Sequence, residues 1–222
     1  VHLSTKGNSQ ITSFYLKGHE RRAELLHNWS AEFLKFMHTR YGLKSPWESI
    51  SIVAVEAEYQ QVDVINNLVL VPLPNYRNAE LMDRQALGFM TRRLAQLWFG
   101  ESVWSNEDTQ QWLNLGLPAF MGLRFFQHKF GPETGIFDAF DWLNPRYRDH
   151  YFESMANNIS PKLSYPILSS FRKNPDSQKY LQTLTYKSAI VFSMLEYLLG
   201  DRAFQKGLQH FFKNNQQNGQ GT

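Results

Sequence analysis

The sequence predicts a mainly helical protein with a small β-sheet, an α+β fold, and three observations lead to this prediction. Apolar residues recur at steps of three and four over long stretches, which is typical of helices that bury one face. Two short runs rich in β-branched residues stand close together in the first third of the chain, which indicates neighbouring strands. Hydrophobic residues make up 42% and aromatic residues 15% of the 222 residues, which is enough for a buried core.

The first predicted elements are one helix and two strands. Residues 19–41 carry apolar side chains at helical spacing, and Gly42 is a natural end for that helix. The apolar face consists of Leu25, Leu26, Trp29, Phe33, Phe36 and Met37. The runs "ISIVAV" at 50–55 and "NLVLVPL" at 67–73 are bounded by polar or Pro residues, so they are predicted to be adjacent strands.

The rest of the chain is predicted to be a helical body. Helical spacing returns in four segments, at 79–99, 112–130, 188–199 and 203–212. Five prolines interrupt residues 131–180, so short helices and loops are expected there, and the polar tail from Asn214 is expected to fray. We expect residues 1–222 to form a single domain taken from a longer chain. About residues 1–78 would supply the first helix and the sheet, and 79–222 the helical body.

Composition and charge exclude several function classes. The 23 basic residues barely exceed the 20 acidic ones, and no run of Lys or Arg marks a patch, so no nucleic-acid partner is expected. The absence of Cys excludes disulfides, thiol catalysis and Cys-based zinc sites. No apolar run reaches about 18 residues, so we expect no membrane insertion by this segment. No signal-peptide pattern occurs within these residues, and because we expect a domain from a longer chain the sequence leaves the compartment open, including an extracytoplasmic one.

Two neighbouring motifs carry the functional information. "RRLAQLWFG", Arg92–Gly100, is followed by "WLNLGLPAF", Trp112–Phe120, and these resemble "HELAHQWFG" and "WLNEGFASY" of the aminopeptidase N family of gluzincin zinc peptidases. The distal stretch Thr185–Phe212 resembles the family's later helix, and the two predicted strands resemble its substrate-binding strands. The resemblance spans about residues 20–213 and implies a thermolysin-like, aminopeptidase N catalytic-domain fold.

The same resemblance implies that the zinc chemistry has been lost. The two zinc-binding His positions are occupied by Arg92 and Gln96, and Leu115, after the usual gap of 18 residues, stands at the third ligand, a Glu. Arg93 stands at the general-base Glu. Because guanidinium groups and leucine offer no lone pair to a metal, no zinc or other cofactor is expected in this protein.

Two further family positions differ as well. The family's transition-state Tyr aligns with Thr185, and Tyr186 stands one place away. The Glu that binds a substrate amine aligns loosely with Val64, next to Asp63. Glu56 and Glu58 remain alternatives for that amine-binding role.

These inferences lead to three hypotheses about function. The first is a catalytically inactive pseudopeptidase that keeps the groove as a surface for a peptide, a protein, or other domains of the same chain. The groove would be lined by Arg92, Arg93, Gln96, Leu115, Tyr186 and Asp63. The second is an active metallopeptidase or other hydrolase of this family that uses non-standard residues or another domain. The third is a structural module without a ligand.

The charge of Arg92 raises a separate question, because a buried guanidinium needs a partner. Arg92 stands one turn from Gln96, so we expect it to face the former ligand side of its helix. Its partner would be either an internal carboxylate or a bound anion such as a peptide carboxylate. The nearby candidates for an internal partner are Glu101, Glu107 and Asp108.

Overall fold

The computed structural model describes residues 1–6, 9–57, 62–73, 84–105, 110–131 and 177–216. These residues form an α+β structure with five strands and five helices. The strands are β1 (His2–Lys6), β2 (Gln10–Phe14), β3 (Ser49–Val55), β4 (Asp63–Ile65) and β5 (Leu68–Pro72). The helices are α1 (Glu20–Tyr41), α2 (Arg84–Ala95), α3 (Gln111–Phe130), α4 (Ser177–Leu199) and α5 (Asp201–Asn215).

The five strands form one mixed sheet with the order β1-β2-β3-β5-β4. The three central strands are parallel, and the two edge strands pair antiparallel to their neighbours. Ile52 of β3 lies beside Val69 of β5, and both are fully buried. The predicted strand pair is therefore confirmed within one residue at each end, whereas β1, β2 and β4 were not predicted.

The first predicted helix, α1, covers the sheet and ends where the sequence indicated. Gly42 adopts a left-handed conformation with φ 67°, and its N–H donates to the carbonyl of His38 at 2.9 Å. A residue with a side chain is strained at that φ, which explains why the helix ends at glycine. The predicted apolar face is buried except for Leu25, which is half-buried against the core.

Aromatic side chains join α1 to α3 and to the turn that follows α2. The ring of Phe33 makes edge contacts with Trp98 at 6.1 Å and with Phe125 at 5.3 Å between centroids. Tyr41 packs against Phe36 in the same way at 5.7 Å. Edge-to-face pairs of this kind add to the stabilisation from apolar burial, so this cluster holds α3 and the turn after α2 against α1.

A glycine allows α3 to lie close to α2. A Cβ atom on Gly122 would lie 3.3 Å from the backbone nitrogen of Arg92, so α2 approaches α3 closely at that point. Farther along, Phe99 borders the same cavity as Leu117. Arg92 thus lies near a later residue of α3 than Phe99 does. The stretch from Arg92 to Phe99 and helix α3 therefore run in opposite directions.

Three predicted boundaries differ from the structure. The helix predicted to reach residue 99 ends at Ala95, because Gly100, with φ 146°, turns the chain and Phe99 pairs with Val103. Helix α4 begins at Ser177, eleven residues before the predicted start at 188, and α5 includes Asn214. Most of the loop-rich segment 131–180 and the tail from 217 lie outside the described residues. Within the described part, no helix meets the length and apolarity that a membrane crossing requires.

Candidate functional site

The candidate site begins in the last turn of α2, where Arg92 and Arg93 lie. Beyond Ala95 the backbone tightens into a 3₁₀-type turn, in which the N–H of Gln96 donates to the carbonyl of Arg93 at 3.0 Å. The carbonyl of Gln96 accepts the N–H of Glu101 at 2.9 Å. Gln96 therefore lies at the start of a well-bonded turn and not inside the helix, and the turn keeps it next to Arg93.

Arg93 connects three of the residues that the sequence placed at the site. Its Nη1 donates a hydrogen bond to Oε1 of Gln96 at 3.1 Å. Burial and the neighbouring charge of Arg92 lower the pKa of Arg93 to about 10, and the carboxylate of Asp63 opposes that shift. Helix α2 packs against β4, the strand that Asp63 begins. The structure thus brings Arg92, Arg93, Gln96 and Asp63 together, with Arg93 still charged at neutral pH.

Arg92 is half-buried, and its Nε has no hydrogen-bond partner although it is shielded from solvent. No carboxylate of the described residues forms an ion pair with it. Glu101, a candidate partner from the sequence, instead accepts the N–H of Asn66 at 2.9 Å and so links this turn to the β4–β5 connection. Glu107 and Asp108, the other candidates, lie outside the described residues.

Leu115 and Thr185 lie at a second contact, between α3 and α4. Gly116 of α3 meets Ser188 of α4, so Leu115 lies beside this crossing and Thr185 lies about one turn from it. Leu115 is half-buried, whereas Thr185 is 1% exposed. Tyr186 belongs to α4, but its side chain lies outside what the structure describes.

The donor chemistry of these positions does not fit a zinc ion. Arg92 and Leu115 offer no lone pair, and the one neutral oxygen, Oε1 of Gln96, accepts a hydrogen bond from Arg93. Two guanidinium groups also repel a dication. The described residues contain no cluster of three or more His, Cys, Asp or Glu side chains that could hold a metal.

Sequence reasoning did not identify two residues that shape the site. Gly122 allows the close approach of Arg92, and Asn66, the one described non-glycine residue with positive φ, holds Glu101. A glycine in the middle of an aromatic-rich helix was the available signal for the first, because glycine is costly there unless another backbone approaches. Asn tolerates positive φ in turns, which was the signal for the second.

Comparison with known proteins identifies related sequences along most of the chain. The family model described as the Peptidase family M1 domain matches residues 25–222. The puromycin-sensitive aminopeptidase of Caenorhabditis elegans is 23% identical over 220 residues, which covers 96% of this chain and 22% of that protein. Aminopeptidase 2 of Candida albicans is 21% identical over 209 residues, with 91% and 22% covered. The chain thus spans about a fifth of the length of these curated relatives.

Solved structures show the same fold. Native yeast LTA4 hydrolase matches with a TM-score of 0.70 at 16% identity, covering 97% of this chain and 33% of that one. A mutant of an M1 zinc metallopeptidase from Deinococcus radiodurans matches with a TM-score of 0.62 at 15% identity, covering 97% of this chain and 45% of that one. At these identities the matches show a shared fold and carry no statement about activity.

Proposed function

This chain belongs to peptidase family M1, and from that premise we propose that it is a catalytically inactive peptidase-like domain. It keeps the framework of the family and binds a peptide, a protein or another domain of its own chain in the groove beside α2 and α3. The observation that carries this proposal is the hydrogen bond from Arg93 to Gln96, at 3.1 Å, at positions where the resemblance places the catalytic base and a zinc ligand.

That hydrogen bond supports the loss of metal chemistry in two ways. It occupies Oε1 of Gln96, the one neutral oxygen among the side chains of Arg92, Gln96 and Leu115 that could ligate a metal. It also fixes a guanidinium, held charged at neutral pH, where a zinc site requires a lone pair and tolerates no cation. A peptidase of this type needs the metal to activate water and a carboxylate to take its proton, and Arg93 can do neither.

The position of Thr185 supports the same conclusion for the transition state. Thr185 is buried at the α3–α4 contact. Its hydroxyl is on a shorter side chain than the family's Tyr, so it does not replace the phenol that would stabilise a developing oxyanion. The tightly packed core argues that the framework itself is retained, because side chains such as Leu94, Trp98 and Phe120 are completely buried.

Metal content and hydrolysis together test the proposal. We expect the purified protein, dialysed without chelator, to carry far less than one zinc per chain by elemental analysis. We also expect no release of product from a panel of aminoacyl p-nitroanilides. A stoichiometric zinc with chelator-sensitive hydrolysis would refute the proposal and support the alternative, an active M1 hydrolase that uses non-standard residues. Adding excess zinc before the assay separates a true lack of ligands from metal lost in purification.

A further inference from the structure

We infer that Arg92, Arg93 and Gln96 form a binding site for the carboxylate of a peptide ligand. This inference rests on the proposed function, because it names the chemical class of ligand that the retained groove would take. The carboxylate can come from the C-terminus of a peptide or from an Asp or Glu side chain, and the two sources share the same recognition chemistry.

The first argument is the balance of charge. Arg92 and Arg93 place two guanidinium groups on one turn, and Asp63 is the carboxylate that acts on Arg93. Among the described residues the local balance is therefore one positive charge in excess, within a half-buried environment. Arg124, another half-buried arginine, shows the usual arrangement, since its Nη2 lies 2.5 Å from the carboxylate of Glu196. Arg92 has no such partner in the described part of the chain.

The second argument concerns hydrogen-bond donors. The Nε of Arg92 is buried and makes no hydrogen bond, and an unsatisfied buried donor is costly. A guanidinium presents its donors in a planar fork that matches the two oxygens of a carboxylate. Arg93 donates from Nη1 to Gln96 and, as a guanidinium, carries further N–H groups, while the Gln96 amide carries an NH₂ donor. The three side chains are thus rich in donors, and one anionic group can satisfy several of them.

The surroundings favour a single carboxylate over other ligands. Leu94 and Leu97 are fully buried beside the arginines, so the local medium strengthens an ion pair compared with bulk water. A free amino group would be repelled by the excess positive charge. A polyanion such as a nucleic acid needs an extended basic surface, and the chain has only 23 basic residues against 20 acidic ones.

The test is a binding measurement with matched peptides. Calorimetry would compare an N-acetylated peptide with a free C-terminus, the same peptide amidated, and an amidated peptide with one internal Glu. We expect binding by the peptide with a free C-terminus or by the amidated peptide with an internal Glu. The amidated peptide without Glu, which has no carboxylate, should not bind. Which of the two binds identifies the source of the carboxylate. Binding of the neutral peptide at equal affinity, or of inorganic phosphate more tightly than any peptide, would overturn the assignment.

Variants locate the site. Arg92→Gln and Arg93→Gln should each weaken carboxylate binding about tenfold or more, the loss expected for charge-assisted hydrogen bonds. Arg202→Gln, on the exposed surface of α5, is the matched control and should leave binding unchanged. Should a Gln variant fail to fold, Arg92→Lys keeps the charge but loses the planar fork, and binding should still weaken. Unchanged binding in the folded Arg92 and Arg93 variants would overturn the inference.

Zinc analysis keeps the two proposals distinguishable. A zinc-free, inactive protein that binds no carboxylate would retain the proposed function and reject this site. A protein with one zinc per chain and chelator-sensitive hydrolysis would reject the proposed function, whatever the peptides do.

Discussion

Gly116 of α3 and Ser188 of α4 approach so closely that a Cβ atom on Gly116 would lie 2.3 Å from the Cβ of Ser188. Ser188 has its own hydroxyl folded back onto the carbonyl of Leu184 at 2.6 Å, which turns that polar group away from the contact. The two helices can cross at this distance only because residue 116 has no side chain. This crossing sets where Leu115 and Thr185 lie relative to each other.

Gly116→Ala is predicted to destabilise the protein by about 1–3 kcal/mol, the usual cost of overpacking a well-packed contact. The added methyl would also meet the ring of Phe192, whose Cε2 lies 3.2 Å from the new atom. Urea denaturation followed by circular dichroism measures the free energy of unfolding. Gly207→Ala is the control, because nothing lies within 4 Å of its added Cβ on α5. At position 207 alanine should stabilise the helix by about 0.5–1 kcal/mol. If Gly207→Ala lowered the free energy of unfolding as much as Gly116→Ala, the packing argument would be contradicted.

Glu196→Ala is predicted to be more costly, because Glu196 is the buried anion between two arginines. Its carboxylate lies 2.5 Å from Nη2 of Arg124 and 4.0 Å from Nη2 of Arg40. Burial, and next the negative charge of Glu196, raise the pKa of the Tyr41 hydroxyl well above its ordinary value. Removing the carboxylate leaves Arg124 uncompensated, so we expect a loss of about 3–5 kcal/mol in the free energy of unfolding.

The matched control for Glu196 is Asp201→Ala. Asp201 also pairs with Arg40, at 2.6 Å, but its side chain is 61% exposed. An exposed ion pair contributes about 0–1 kcal/mol, so Asp201→Ala should shift the denaturation midpoint little. Equal losses for the two variants would mean that burial does not decide the strength of this network.

His27 is predicted to make stability fall on the acidic side of neutrality. The imidazole is buried between two hydroxyls, with Thr5 Oγ1 2.7 Å from Nε2 and Ser13 Oγ 2.8 Å from Nδ1. Burial lowers the pKa of His27. The unfolded chain therefore binds this proton more readily than the folded one. The contribution of His27 is fully present above the unfolded pKa of about 6.5 and is lost as the pH falls through and below it.

Unfolding free energies measured from about pH 8 down to about pH 5 test this sign, since most carboxylates titrate below that window. His27→Gln keeps a donor and an acceptor for the two hydroxyls but cannot titrate, so its slope against pH should be smaller. His210→Gln, on the exposed face of α5, should keep the slope of the unaltered protein. A His27→Gln variant with the original slope would show that other groups cause the acid sensitivity.

The same pair, Ser13 and His27, explains why sequence reasoning missed part of the sheet. Strand β2 alternates as a strand should, but one of its two inward positions is Ser13, which is buried and polar. Its hydroxyl is satisfied by His27 of α1, a long-range partner that no local pattern reveals. Strand β4 has only three residues, too few for periodicity to be seen. Helix α3 and the β3–β5 pair were predictable because their buried residues are almost wholly apolar.

The role of the candidate site stays a prediction, and only part of its geometry was anticipated. The sequence placed Arg92 and Gln96 one turn apart on one face of a helix, whereas the hydrogen bond from Arg93 to Gln96 was not predicted. The 3₁₀-type turn after Ala95 was not predicted, because it depends on Gly100 and on the bridge between Phe99 and Val103. The approach of Asp63 to Arg93 depends on β4 packing against α2, which is a tertiary contact.

The last prediction concerns the restoration of a metal site. The variant carrying Arg92→His, Arg93→Glu, Gln96→His and Leu115→Glu should bind about one zinc per chain, with water as the fourth ligand. Its physical basis is the fixed position of α2 on α3, where the backbone of Arg92 rests against Gly122. Removing both guanidiniums also removes the repulsion between the site and a dication. Elemental analysis, and a zinc-dependent rise in the melting temperature, measure the uptake.

A second variant separates a true three-ligand site from casual binding to two histidines. Omitting Leu115→Glu from the set should weaken zinc binding, because the ligand from α3 is missing. Hydrolysis by the full variant should stay low, because Thr185 supplies no phenol for the oxyanion. If the full variant folds but takes up no zinc, the assignment of Arg92, Gln96 and Leu115 to ligand positions is wrong. In that case the tightened turn at Gln96 has rotated residue 96 away from residue 92, since a 3₁₀ turn has about 3.0 residues and an α-helix 3.6.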